Sequence, residues 1–280
     1  MKSTILMGPP GSGKTTMYVK TAINRPVLAI DADRKLRSMT CAIEAEKAGE
    51  LFIWELDEPL IEEKLAVRLR QVVVDNAKPM KEPKGWYKFA DYCARLETDP
   101  IAQKCGTWAF DSATVIGAHC QRLITFLDKK GKSTMSPRNW GEYLMMWQET
   151  ITEIIDVAKK LDKDVIFTVH QRVGEVPGEN NTVIKRKGEG GVVERDYIGT
   201  MMVKVVPSIM GQFGLEMGAY VEEFYRLDVR VDKDGTPKWF CRVVPDGRSD
   251  LRTSVPVTQP EFVPDFHAIW KPTIKTVRRT

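Results

Sequence analysis

The sequence predicts an α/β fold in which a mainly parallel sheet is flanked by helices and extended by a C-terminal β-hairpin. Three observations favour this fold. Short apolar strand patterns alternate with helical patterns over residues 1–171, as in parallel strands joined by right-handed crossovers. The first strand runs directly into a glycine-rich turn and a helix. Two later strand patterns, at 223–231 and 238–244, flank the hairpin turn sequence Asp232-Lys233-Asp234-Gly235.

The predicted core, residues 1–171, contains five short apolar strands and the helices between them. The strands are expected at 3–7, 27–30, 51–56, 107–110 and 165–169. The helices are expected at 15–23, 36–48, 60–74, 86–96, 115–129 and 140–161. Residues 76–85 and 130–137 are polar or rich in proline and lysine, so both are predicted to be loops.

After residue 171 the pattern changes. Residues 174–196 are polar, contain three closely spaced glycines and show no sustained period, so a mobile loop is predicted at 172–196. Residues 197–254 are predicted to be rich in β-structure. The chain is therefore predicted to be one domain, residues 1–254. An extended basic tail with four prolines follows at 255–280.

Composition excludes several classes of protein. The 280 residues are 42% hydrophobic and 29% charged, which is ordinary globular composition. No apolar run reaches about 18 residues, so we expect no membrane span or membrane partner. The N-terminus lacks the apolar stretch of a secretory signal. Five scattered cysteines without a C-x-x-C pair, and only three histidines, indicate reduced thiols in a cytosolic protein rather than a zinc site.

The net charge of +4 is small and unevenly distributed. The last ten residues contain four basic residues and no acidic one, so their charge of +4 equals the net charge of the whole chain. The rest of the chain is near neutral, so no global basic field indicates a nucleic-acid partner. The tail is either a solvated, partly disordered end or a contact for nucleic acid or a partner.

The glycine-rich turn carries the clearest chemistry. It reads Gly8-Pro9-Pro10-Gly11-Ser12-Gly13-Lys14-Thr15-Thr16 and fits the phosphate-binding pattern G-x-x-x-x-G-K-[ST]. Its glycines let backbone N–H groups point at phosphate oxygens, and the following helix presents its positive end. Lys14 is expected to reach the β- and γ-phosphates, and Thr15 to offer its hydroxyl to Mg²⁺. The turn therefore predicts binding of ATP with Mg²⁺; the alternative is a glycine-rich turn without a ligand.

An acidic residue, Asp111, follows the strand at 107–110. Open α/β sheets bind ligands at the carboxyl ends of their strands, so Asp111 is predicted to complete the magnesium site beside Thr15. The alternative is a strand-end aspartate without a ligand.

Three further polar residues end predicted strands. Asp33 is a candidate for orienting or deprotonating the attacking water, and its alternative role is to cap the next helix. Glu55 and Asp57 are alternative candidates for acting on the water. His170 and Gln171 are candidates for contacting the γ-phosphate, and the alternative is a structural histidine. We interpret the remaining histidines as structural or surface residues.

This order of motifs resembles the RecA-type ATPases, most closely the compact phage RecA-like proteins grouped with Sak-type single-strand annealing factors. The resemblance covers about residues 3–252 and is most specific at 8–16 and at Phe110-Asp111-Ser112. RecA-like proteins have a catalytic glutamate in an Ile-Asp-Ala-Glu context, where this chain has Ile30-Asp31-Ala32-Asp33, one methylene shorter. A polar switch residue of the family matches His170 or Gln171.

The resemblance implies an ATPase that acts on single-stranded DNA in recombination, annealing or repair. It implies a homo-oligomer or filament in the cytosol of a bacterial or phage-infected host, with a single-strand-binding protein as a further partner. The family's DNA-binding loop matches residues 172–196. The implied DNA contacts are Arg172, Lys185, Arg186 and Lys187, and the implied subunit-bridging residues are Arg248 and Arg252.

From the residues alone, that loop is ambiguous. Its basic residues suit a phosphate backbone. Five acidic residues balance its five basic ones, and it contains no aromatic residue, so a solvated loop is the alternative. Three functions thus stay open: a DNA-dependent RecA-like ATPase, another P-loop motor such as a helicase or packaging ATPase, and a non-hydrolysing ATP-gated DNA-binding protein.

Overall fold

The computed structural model describes the chain except for residues 58–81, 129–135, 178–181, 188–192, 199–200, 210–216, 247, 258 and 271–280. Its strands are β1 (Ser3–Gly8), β2 (Val27–Asp31), β3 (Leu51–Glu55), β4 (Thr107–Asp111), β5 (Asp164–Pro177), β6 (Thr182–Lys187), β7 (Val193–Ile198), β8 (Met201–Pro207), β9 (Glu223–Val231), β10 (Pro237–Arg242) and β11 (Glu261–Phe262). Its α-helices are α1 (Lys14–Thr21), α2 (Thr40–Lys47), α3 (Gly85–Arg95), α4 (Pro100–Lys104), α5 (Ala113–Leu127), α6 (Pro137–Lys160) and α7 (Phe266–Trp270).

One nine-stranded sheet organises the molecule. Its main order is β11-β10-β9-β1-β5-β4-β2-β3, and β8 pairs with β5 outside this path. The pairs among β1, β2, β3, β4, β5 and β9 are parallel, whereas β10 and β11 are antiparallel. This confirms the predicted α/β fold with a mainly parallel sheet and a C-terminal hairpin. The central strand is β1, so the glycine-rich turn that follows it lies in the middle of the carboxyl edge.

Alternate residues of the central strands pack against opposite helical layers. Ile5 and Met7 join a cluster with apolar residues of α3, α5 and α6. Leu6 joins a second cluster with residues of α1, α2 and α7. All three side chains are fully buried, and each such burial stabilises the fold by about 1.5–3 kcal/mol. Because both faces are covered, the central strands are mainly apolar, and the polar residues at their carboxyl ends lie on a well-packed sheet.

The prediction that residues 172–196 form a loop was wrong, because the described part of this segment is β-structure. β5 continues through Arg172 to Pro177 and pairs antiparallel with β8, from Gln171 opposite Pro207 to Pro177 opposite Met201. β6 and β7 pair as a separate two-stranded sheet. The three clustered glycines favoured a loop, but they lie at 188–191, between β6 and β7 and outside the described residues. The pairing partner β8 is distant in sequence, so local periodicity did not reveal the strands.

The chain after residue 254 is not simply extended. β11 pairs with β10, and Phe266 and Ile269 of α7 are buried in the cluster beside α1. This apolar spacing of three residues makes a short helix that covers one face of the sheet. The predicted helix at 60–74, most of the 76–85 segment, most of the 130–137 loop and the basic end at 271–280 lie outside the described residues.

Two expectations from composition can be compared with the structure. The five cysteines are unpaired. Within the described ranges, none of the helices combines the length and the apolar character that a membrane crossing requires.

Candidate functional site

A cavity of about 540 Å³ opens above the glycine-rich turn at the carboxyl edge of the sheet. Its walls come from the turn, from the start of α1, from residues at or after the ends of β2 and β4, from the middle of β5, and from β10 and the segment after β11. The lining residues are Pro10, Gly11, Ser12, Gly13, Lys14, Thr15, Thr16, Met17, Asp33, Lys35, Met39, Asp111, His170, Trp239 and Pro264. The predicted turn, Asp33, Asp111 and His170 therefore line the same cavity.

The backbone of the turn depends on its glycines. Gly11 and Gly13 have φ values of 76° and 87°, a left-handed conformation that strains residues with a β-carbon. A β-carbon at Gly8 would lie 2.5 Å from Ser12 Oγ and 2.6 Å from the carbonyl oxygen of Leu227. Glycine at these positions therefore allows the chain to curl tightly between β1 and α1.

Lys14 lies inside this curl. Its Nζ donates hydrogen bonds to the carbonyl oxygens of Gly8 and Pro9, both at 2.9 Å. Burial lowers the pKa of Lys14, and the negative charges of Asp111 and Asp33 oppose that shift. The ammonium is thus held at the centre of the turn, where an incoming phosphate would compete with the two carbonyls for its protons.

Asp111 is fixed by three hydroxyl groups. Thr15 Oγ1 and Tyr18 OH donate to Asp111 Oδ2 at 2.7 and 2.9 Å. Thr168 Oγ1 donates to the other oxygen, Oδ1, at 2.6 Å. The carboxylate therefore has a fixed orientation beside the first turn of α1.

The Thr15–Asp111 pair suits magnesium. Mg²⁺ in nucleotide sites takes one or two carboxylates and completes its octahedron with waters and phosphate oxygens. In the part of the chain that the structure describes, no three His, Cys, Asp or Glu side chains form a metal-binding group. Thr15 and Asp111 would hold the ion, and the bound ion would neutralise developing charge on the phosphates.

Asp33 faces the same cavity. Ser112 Oγ donates to Asp33 Oδ1 at 3.0 Å, while Lys35 Nζ and His170 Nε2 lie 3.4 and 3.7 Å from Oδ2. Burial alone would raise the pKa of Asp33, but His170, Lys35 and Ser112 together hold it below its ordinary value. A carboxylate with a lowered pKa is a weaker proton acceptor, so the surroundings of Asp33 favour orienting a water over deprotonating it.

The capping role proposed as the alternative for Asp33 belongs to Asp31. The backbone N–H of Leu36, at the start of a 3₁₀ turn, donates to Asp31 Oδ2 at 2.8 Å. Burial raises the pKa of Asp31 to about 6, and the charges of Asp111 and Asp33 act in the same direction. The side chain of Asp33 is therefore free of helix capping and available to the cavity.

Only one of the two candidate switch residues reaches the cavity. His170 lines it, and the His170 backbone N–H donates to Thr114 Oγ1 at 2.9 Å. Gln171 instead lines a second cavity of about 400 Å³, together with Arg226, Arg242 and Arg248. Successive residues of a strand point to opposite faces, so the two side chains cannot share one site.

The other candidates lie elsewhere. Glu55 pairs with Arg37 at 2.7 Å, and neither Glu55 nor Asp57 belongs to the described lining of the nucleotide cavity. Arg172 is exposed on β5, and Lys185, Arg186 and Lys187 lie in β6 opposite Arg195, Glu194 and Val193 of β7. Arg248 and Arg252 are exposed near β9, where the backbone of Arg252 bridges to Phe224.

Sequence reasoning missed several residues of this site, among them Tyr18, Ser112, Thr168 and Trp239. Tyr18 follows Thr15 by three positions and so shares its helix face, and Thr168 precedes His170 by two and shares its strand face. Ser112, which also accepts a hydrogen bond from the Val115 N–H at the start of α5, directly follows Asp111. These spacings could have identified them. Trp239 carried no such signal, because β10 reaches the turn only through the order of the sheet.

Comparisons with known proteins agree with this geometry at the level of the family. The family model AAA_24, described as an AAA domain, matches residues 2–213. Among solved structures, the flagellar accessory protein FlaH from Methanocaldococcus jannaschii is similar with a TM-score of 0.43 and 10% sequence identity, over 93% of this chain and 83% of FlaH. No curated protein sequence matches the chain. Because the family match covers more than half of the chain and includes the glycine-rich turn, Asp33, Asp111 and His170, the chain belongs to the AAA_24 family of AAA-domain proteins, a P-loop ATPase family.

Proposed function

We propose that this chain binds and hydrolyses ATP with Mg²⁺ and couples that reaction to single-stranded DNA, as a cytosolic RecA-like protein of the phage annealing and recombination type. The observation that supports the ATPase is the meeting of five predicted residues in one cavity: Lys14, Thr15, Asp33, Asp111 and His170. They come from four separate parts of the chain. An ion site, a phosphate-binding turn and a water-orienting carboxylate are the parts that phosphoryl transfer to water requires.

Each residue has a separate task in this reaction. The backbone N–H groups of the turn and the Lys14 ammonium bind the β- and γ-phosphates. Asp33, held by Ser112, orients the attacking water toward the γ-phosphate. His170, beside Asp33, donates to a γ-phosphate oxygen. The oxygen of the attacking water forms a new bond to the γ-phosphorus, while the bond between the γ-phosphorus and the bridging oxygen of ADP breaks. The proton of the water passes to solvent or to the released phosphate.

The DNA part rests on the course of β5. This strand carries His170 at the nucleotide cavity and continues directly to Arg172 and the antiparallel pairing with β8. The β6–β7 hairpin, with Lys185, Arg186 and Lys187, is inserted between β5 and β8. A change at His170 on phosphate contact or release would therefore act on the base of the segment that carries the basic residues. Exposed Arg248 and Arg252 are the candidates for contact with a neighbouring subunit in an oligomer.

We expect single-stranded DNA to stimulate ATP hydrolysis by the purified full chain. Replacing Lys185, Arg186 and Lys187 together by alanine should remove most of the stimulation. It should also reduce the salt dependence of DNA binding, lowering the slope of log K against log[salt] by about 2, because about 0.7 counterions are released per contacted phosphate of a single strand. Phosphate release and fluorescence anisotropy of a labelled oligonucleotide at several salt concentrations measure the two effects.

A charge-matched control is available on the described surface. Lys20, Lys47 and Lys104 are exposed on α1, α2 and α4, and their joint replacement by alanine removes the same charge. This control should keep both the stimulation and the salt slope. Hydrolysis without any response to single-stranded DNA would refute the DNA part of the proposal while leaving the ATPase part intact.

Replacing Asp33 with asparagine tests whether the chain hydrolyses ATP by the proposed route. We expect kcat to fall by about 10²-fold, the lower end of the range for a positioned acid–base group, with ATP affinity changed by less than about threefold. The matched control is Glu55→Gln, which removes a carboxylate at the end of the neighbouring strand β3 and should retain the activity. If the original chain binds ATP without measurable phosphate release, the non-hydrolysing ATP-gated alternative replaces this part of the proposal.

A further inference from the structure

The nucleotide cavity has two chemically different ends. Its charged side chains, Lys14, Asp33, Lys35 and Asp111, come from the turn and from segments that follow β2 and β4, and His170 comes from β5. Strands β2, β4 and β5 all lie on one side of β1 in the sheet. On the other side of β1, β10 and the segment after β11 contribute Trp239 and Pro264.

This division orients a bound triphosphate. The γ-phosphate belongs at the charged end, near the Thr15–Asp111 pair and Asp33. The opposite end of the ligand, the nucleoside, must then leave the turn toward the side of β9 and β10. There the described lining residues are an aromatic ring and a proline, which suit the flat apolar surface of a base and not a phosphate.

One edge of the Trp239 indole ring contacts the glycine-rich turn. Its Nε1–H donates to the carbonyl oxygen of Gly11 at 3.2 Å. A β-carbon at Gly13 would lie 3.4 Å from Trp239 Cδ1 and 3.9 Å from Nε1, so the same edge of the indole packs on Gly13. The side chain is nevertheless 45% exposed. An edge-on contact that leaves so much of a large ring uncovered gives a rigid, open aromatic surface beside the phosphate site.

We propose that the indole ring of Trp239 is the stacking surface for the purine base of the nucleoside triphosphate, with Pro264 forming the adjacent wall. This inference rests on the proposed nucleotide binding and extends it to the base. Base–aromatic stacking depends on ring area and tolerates different bases, so Trp239 favours purine over pyrimidine triphosphates without reading the exocyclic groups.

The test compares ligands with and without a base. Calorimetric titration of the full chain with the magnesium complexes of ATP, CTP and inorganic tripolyphosphate gives three affinities for each variant. In Trp239→Ala, ATP should bind about 5- to 100-fold more weakly, from the usual effect of removing one stacking aromatic, and tripolyphosphate should change by less than about twofold. The preference for ATP over CTP should shrink. Trp239→Phe keeps a ring but loses the bond to Gly11, and it should retain most of the ATP affinity.

A purely structural role predicts a different pattern. If Trp239 only braces the turn, Trp239→Ala will weaken ATP and tripolyphosphate equally and Trp239→Phe will not rescue, and either result overturns the proposal. Tyr87, an aromatic residue of α3 that is 46% exposed, gives the matched control, and Tyr87→Ala should leave all three affinities unchanged. Equal affinity of the original chain for ATP and tripolyphosphate would refute the base site alone, whereas failure to bind either ligand would refute the proposed function with it.

Discussion

Replacing Lys14 with alanine is expected to lower ATP hydrolysis by about 10²- to 10³-fold, the usual cost of removing a donor that stabilises transition-state charge. Nucleotide affinity should also fall by about tenfold or more, because a charge-assisted hydrogen bond to phosphate is lost. Lys14→Met keeps most of the side-chain volume without the charge and should be as inactive as the alanine variant. Phosphate release and calorimetric titration with Mg–ATP measure the two effects.

The structure explains why this loss should come from chemistry and not from unfolding. Lys14 bonds only to the turn itself, to Gly8, Pro9 and Ser12, among the hydrogen bonds of the described residues. It belongs to neither apolar cluster of the core. The midpoint temperature of thermal unfolding, measured without nucleotide, should therefore change little. The control is Lys20→Ala, six residues later on the exposed side of α1, which should keep its hydrolysis rate. Substantial hydrolysis by Lys14→Ala would show that the active site is not in this cavity.

Replacing Asp111 with asparagine should produce a second large loss, again about 10²-fold or more in kcat, through the metal ion. An asparagine keeps one acceptor oxygen, which Thr168 can use, but its amide nitrogen cannot accept the hydroxyl protons of Thr15 and Tyr18. Stability should consequently fall by about 1–3 kcal/mol, since the buried hydroxyl of Tyr18 and the partly buried hydroxyl of Thr15 lose their acceptor. The affinity for ATP should no longer rise when Mg²⁺ is added, which titrations with Mg²⁺ and with EDTA measure directly.

Asp31 gives the matched control for that experiment, because it occupies the paired position on the neighbouring strand β2. Burial raises the pKa of Asp31 to about 6, and an asparagine at this position can still accept the Leu36 N–H. Asp31→Asn should retain the magnesium response. An Asp111→Asn variant that keeps the response would show that the ion is held by other groups.

Much of the site was predictable because its signals are local. The spacing of the glycines, Lys14 and Thr15 in one short segment specifies a phosphate-binding turn. Asp33, Asp111 and His170 each follow an apolar strand, and parallel strands bring their carboxyl ends to one edge of a sheet. A pattern of strands and helices therefore predicted which polar residues meet. The same pattern could not distinguish Asp31 from Asp33 as the capping residue, because both precede Leu36 by only a few residues.

By itself, the sequence determined the α/β core and the glycine-rich turn, since apolar periodicity and glycine spacing act within a few residues. Its alternation of strands and helices also predicted that Asp111 lies at the same edge of the sheet as the turn. Only the tertiary structure decided the rest. Pairing with the distant strand β8 turned the predicted loop after Gln171 into β-structure, and strand pleating placed His170, not Gln171, in the cavity. The position of β10, two strands from β1, brought Trp239 onto the turn. Parallel strands pair across connections of a dozen or more residues, so strand order depends on segments that are far apart in the chain.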